Sequence, residues 1–68
     1  MIWERSGEAY YASVVGPDGA VQFHVIVEPT VTGWDWAIWR PGQSEREARH
    51  GAAEMVQEAM REAEGAAG

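Results

Sequence analysis

Up to Arg40 the chain alternates apolar and polar residues, and beyond Ser44 its apolar residues recur at a helical spacing. The segment Glu8 to Val15 is rich in Tyr, Val and Ala and stops at Gly16-Pro17-Asp18-Gly19, so a strand is predicted over 8–15. Pro17 presets the first central position of a type I turn, Asp18 suits the second, and Gly19 accepts the left-handed bulge position that follows. Such a turn joins antiparallel strands, and the return strand is predicted over 20–28 and ended by Pro29. Within it Val21, Phe23, Val25 and Val27 share one face, and Gln22, His24 and Ile26 share the other.

With Gly19 as the bulge, Gly16 faces Ala20. Ala9, Tyr11, Ser13 and Val15 then join the Val25 face, while Tyr10, Ala12 and Val14 join His24 and Ile26. A slip of one residue exchanges Tyr10 for Tyr11, because side chains alternate with a period of two. The bulged register is the expectation.

After Thr30-Val31-Thr32-Gly33, a third strand is predicted over 34–40. Trp34, Trp36 and Ile38 lie on one face and Asp35, Ala37 and Trp39 on the other; Pro41-Gly42 closes it. Ser44-Glu45-Arg46-Glu47 then has the form of a capping box, which predicts a helix over 45–64, a Gly65 terminator and a frayed tail over 65–68. On a helical wheel Ala48, Ala52, Ala53, Met55, Val56, Ala59, Met60 and Ala63 fall within about half the circumference. Small residues in mid-stripe suit close packing against a sheet bearing Trp, Phe and Val. The expected fold is therefore α+β: a three-stranded antiparallel sheet with one C-terminal amphipathic helix on one face, in a single domain spanning 1–68.

Composition narrows the chemistry. A chain of 68 residues buries roughly 60% of the surface its unfolded form exposes, so its core is thin. There is no cysteine, which removes disulfides, thiolate metal sites and a cysteine nucleophile. Eleven Asp and Glu stand against five Arg, with a net charge of −6, so direct binding to nucleic acid is disfavoured and a basic protein surface is the better complement. Met1-Ile2-Trp3-Glu4-Arg5 lacks the form of a signal peptide, and no segment has the ~20 apolar residues of a membrane span; a cytoplasmic protein is expected.

Two surfaces are candidate binding sites. Glu47, Glu54, Glu58 and Glu62 form a carboxylate row along one flank of the expected helix, where like charges at this spacing cost a few tenths of a kcal/mol per pair. Such a row either meets a basic partner or keeps the face solvated. The sheet face left bare by one helix would carry Tyr10, His24, Ile26 and Trp39, an apolar patch of the kind that marks interfaces or is covered by the Ile2-Trp3 segment or a second copy. The tryptophans Trp34, Trp36 and Trp39 suit core packing better than base stacking, since two of them face inward.

His50, Glu54 and Glu58 share a helical spacing, but a metal centre needs more ligands, so no cofactor is expected. His24 and His50 stand beside no nucleophile or acid in a catalytic arrangement, and no phosphate-binding glycine loop is present. Binding is expected rather than catalysis.

In overall plan, a small cysteine-free acidic chain with three strands and then a helix, the protein resembles the inhibitors encoded by phages and mobile elements, among them anti-CRISPR proteins that block type I effector complexes. That resemblance implies occlusion: Glu47, Glu54, Glu58 and Glu62 would occupy a basic site that normally holds nucleic acid, with Trp39, Tyr10 and Ile26 as anchors. The alternative from the residues is a homodimeric adaptor or antitoxin-like module that self-associates through the open sheet face.

Overall fold

The computed structural model describes residues 1–67. Five antiparallel strands follow one another in sequence order across a single sheet: β1 (Glu4–Ser6), β2 (Ala9–Val15), β3 (Val21–Pro29), β4 (Trp34–Trp39) and β5 (Arg49–Ala53). One helix, α1 (Val56–Ala67), packs on one face against β3, β4 and β5. The α+β class and the C-terminal helix on an antiparallel sheet agree with the sequence pattern. The sheet is larger than expected, with five strands in place of three.

The added strands enter at the two edges. β1 turns into β2 through Gly7-Glu8, where Gly7 has φ 62°, as the first central position of a type II′ hairpin requires. The Arg5 Nε donates to the Gly7 carbonyl at 3.0 Å and braces that turn. β5 occupies what the sequence reads as the first half of the helix. The capping-box residues make only a single 3-10 turn, Glu45–Glu47, in which the Glu47 N–H donates to the Ser44 carbonyl at 3.0 Å. The chain then extends along β4, with Trp36 opposite Gly51 and Ala37 opposite His50.

Tertiary contacts decide between strand and helix for 49–53. Without β5, β4 would be an edge strand with unpaired backbone groups beside three tryptophans. Pairing satisfies that edge, and Gly51 lets the Trp36 indole lie across β5, because a Cβ at position 51 would collide with the ring. The helix is therefore confined to Val56–Ala67, and Ala48, Ala52, Ala53 and Met55 leave the predicted helical stripe. It also runs past Gly65, which does not adopt the left-handed conformation of a terminator. Arg49 donates to the Ala66 carbonyl at 3.5 Å, placing a cation at the negative end of the helix.

The turn between β2 and β3 forms as its sequence requires. Gly19 has φ 83°, the Gly16 N–H donates to the Ala20 carbonyl at 2.9 Å, and Asp18 Oδ1 accepts from the Ala20 N–H at 3.1 Å. A second irregularity follows at once. Val15 pairs with Val21 but Val14 pairs with Phe23, so Gln22 is an extra residue in β3. That bulge corrects the expected faces: Tyr10, Ala12 and Val14 turn toward the helix, and Tyr11 and Ser13 turn away. The exchange has a physical reason, since the expected register would turn the Ser13 hydroxyl inward opposite Phe23, where Val14 now sits, and press Tyr11 into the buried place of Ala12.

The core is as thin as the chain length dictates. Val25, Val27 and Ile38 of the sheet meet Ala59 and Ala63 of the helix, all buried, with Ala12 and Trp36 beside them. The small helix residues bring the helix axis close to the sheet, as the mid-stripe alanines predict. Tyr10 and Trp34 close one end with ring centroids 6.1 Å apart, and Trp3 packs against the same cluster. No helix among the described residues is long and apolar enough to cross a membrane.

Candidate functional site: the open sheet face

Strand alternation and register fix what the face opposite the helix displays. Along β3 and β4 three cross-strand pairs follow one another: His24 with Trp39, Ile26 with Ala37, and Glu28 with Asp35. β2 adds Tyr11 opposite Ile26 and Ser13 opposite His24; β5 adds His50 opposite Ala37 and Ala52 opposite Asp35. The face thus grades from aromatic at one end to acidic at the other.

A concavity of about 390 Å³ lies along this gradient. Ile26 and Ala37 line it, with Trp39 on the same strand as Ala37 and Glu28 and Asp35 beyond them. Ala37 is the small residue among larger neighbours, which leaves room over the middle of the sheet. Gln43 and Ala48 from the connection between β4 and β5 also border the concavity, beside His50. That connection is shaped by a turn with Pro41 and Gly42 at its centre, Gly42 at φ 88°. Gln43 fastens it twice: its N–H donates to the Arg40 carbonyl at 3.0 Å, and its Oε1 accepts from the Arg40 N–H at 2.7 Å.

Trp39 is half-buried, with the His24 ring beside it at 5.8 Å between centroids and an interplanar angle of 33°. Tyr11 is exposed, and Ile2 borders a neighbouring hollow with Tyr11 and His24 while remaining 84% exposed. The N-terminal segment therefore borders this face at Ile2 and Glu4 without covering it, since Trp3 packs against the core cluster.

Of the residues expected on the open face, His24, Ile26 and Trp39 are there. Tyr10 is not; its place is taken by Tyr11. The carboxylate row is divided among separate elements. Glu47 ends the 3-10 turn, Glu54 follows β5, and only Glu58 and Glu62 share α1. Glu62 also accepts from the Trp36 indole Nε1 at 3.4 Å, tying it to the sheet. His50, Glu54 and Glu58 likewise fall on a strand, a connection and a helix, so the helical spacing that relates them in sequence does not bring them together.

The acidic residues that join the aromatic face include Glu4, opposite Tyr11, and the opposed pair Glu28 and Asp35, which sequence reasoning passed over. Their signal was present: Asp35 shares its parity with Ala37 and Trp39, Glu28 shares its own with Ile26, and both flank the loop joining the strands. Like charges directly opposite on a sheet are destabilising, and no arginine pairs with them among the described residues. Arg5 donates to Gly7, Arg40 lies over the Phe23 ring at 5.4 Å, Arg46 belongs to the 3-10 turn, Arg49 reaches Ala66, and Arg61 belongs to α1. Comparison of the chain with protein-family models, with curated proteins and with solved structures finds no match.

Proposed function

We propose that this chain is an acidic protein-binding module that docks its open sheet face on a basic surface of a partner protein, acting as an inhibitor that occludes a nucleic-acid site. The supporting observation is the coincidence, on one uncovered face, of Trp39, Ile26, Tyr11 and His24 with the opposed carboxylates Glu28 and Asp35. Aromatic and aliphatic side chains in a hollow supply an anchor, while peripheral carboxylates supply steering and selection for a basic partner. The overall charge of −6 acts in the same direction and repels nucleic acid itself.

This reading moves the binding surface from the helix flank to the sheet. It keeps the mechanism implied by the resemblance to phage-encoded inhibitors: an acidic surface takes the position of a phosphate backbone. Self-association through the same face would supply no arginine to Glu28 and Asp35, since the strand positions on that face include none.

Affinity capture from the native host, followed by competition with duplex DNA, tests the proposal. A captured nucleic-acid-binding protein that DNA displaces, and that Trp39→Ala fails to capture, is the expected result. A captured protein that holds DNA and this chain together without loss of affinity contradicts occlusion.

A further inference from the structure

We infer that the hollow over Ala37 receives an arginine side chain of the partner, its guanidinium between Glu28 and Asp35 and its stem along Ile26 and Trp39. The inference rests on the protein-binding reading and names the group that the face selects. Three observations converge on it. Glu28 and Asp35 stand directly opposite each other, and no cation of the chain pairs with them among the described residues. The two carboxylates border the same hollow as Ile26, Ala37 and Trp39, so an entering side chain meets apolar surface and acid together. At about 390 Å³ and open to solvent, the hollow has room for an entering side chain.

Arginine fits this chemistry better than lysine. Its planar fork presents donors in more than one direction and can bridge two carboxylates, while its apolar stem lies along the sheet. Lysine brings a compact, strongly hydrated charge that matches two facing carboxylates less well than a planar fork. An arriving guanidinium also removes the repulsion between Glu28 and Asp35, an interaction available only in the complex.

The test is an NMR titration of the full chain with a capped Gly-Gly-Arg-Gly-Gly peptide, alongside the lysine and citrulline versions. Saturable shifts at the Glu28 and Asp35 amides and the Trp39 indole are expected, with a dissociation constant on the order of 1 mM for so small a ligand. The lysine peptide should bind about threefold more weakly and the neutral citrulline peptide about tenfold more weakly. The double variant Glu28→Gln, Asp35→Asn should reduce arginine binding to the citrulline level; it relieves a like-charge pair, so folding is not at risk.

Equal binding of the citrulline peptide, shifts centred on Glu58 and Glu64 of α1, or no saturable binding overturns the inference. Its failure is distinguishable from failure of the parent reading. A partner that DNA displaces and Trp39→Ala loses, yet that tolerates Glu28→Gln, Asp35→Asn, leaves the docking face standing and removes the arginine. Arginine binding in the hollow without any partner displaced by DNA leaves the arginine site standing and removes occlusion.

Discussion

The indole of Trp36 lies across Gly51 on the neighbouring strand and occupies the space that any side chain at position 51 would need. This contact joins β4 to β5 and lets residues 49–53 pair as a strand beside Trp36.

Gly51→Ala is accordingly expected to destabilise the protein by about 2 kcal/mol, the usual range for overpacking. Gly65→Ala provides the control. Gly65 lies within α1 with open space around its Cα and no positive φ, so alanine should add about 0.5–1 kcal/mol of stability. Urea unfolding of the two variants reads both signs; destabilisation of equal size in both would contradict the role given to Trp36.

The Gln22 bulge makes a second prediction, about neighbouring tyrosines. Tyr10 packs on Trp34 at the edge of the core, while Tyr11 stands exposed on the opposite face. Tyr10→Ser should cost about 2–3 kcal/mol and Tyr11→Ser less than about 1 kcal/mol. The reverse order in denaturant melts would restore the register without the second bulge.

The docking role proposed for the opposed carboxylates sets stability against binding. Asp35→Lys places a cation opposite Glu28 and should raise stability by about 0.5 kcal/mol, the scale of a favourable cross-strand pair. The same change should abolish capture of a basic partner. A variant more stable in thermal melts yet inactive in capture is the expected outcome; a loss of both properties would show that Asp35 serves the fold instead.

Association with the partner should weaken with ionic strength, because Glu28 and Asp35 act on the encounter from an open face. Stopped-flow association rates at low and physiological salt should fall about tenfold or more, with dissociation rates changing less. A salt-independent association rate would leave the carboxylates with no part in recognition.

How much of this was legible in the sequence follows from where local and tertiary signals agree. β2, β3 and β4 stand close to their predicted bounds because alternating Val, Ile, Phe and Trp residues specify strands and faces without outside help. β1 has only three residues, too few to show a period. β5 reads Arg49-His50-Gly51-Ala52-Ala53, with no β-branched residue, and lies in an Ala- and Glu-rich tract behind a capping signal. Its strand character depends on the β4 edge and on Trp36, which no local window contains. The fate of the site follows the same line. Parity alone placed His24, Ile26 and Trp39 on the open face, whereas the Glu47–Glu62 row dissolved with the first half of the helix. Tyr10 and Tyr11 exchanged places because one extra residue, Gln22, inverts everything before it in the ladder.

The central claim is that the open sheet face, and not the helix flank, carries binding. The most direct measurement compares the affinity of the captured partner for two variants, each against the unaltered chain. One carries Trp39→Ala with Glu28→Gln and Asp35→Asn; the other carries Glu54→Gln, Glu58→Gln and Glu62→Gln. The face variant should lose at least about a hundredfold in affinity, a loss of hot-spot size, while the helix variant loses less than about threefold. Full affinity in the face variant, with collapse in the helix variant, would contradict the account.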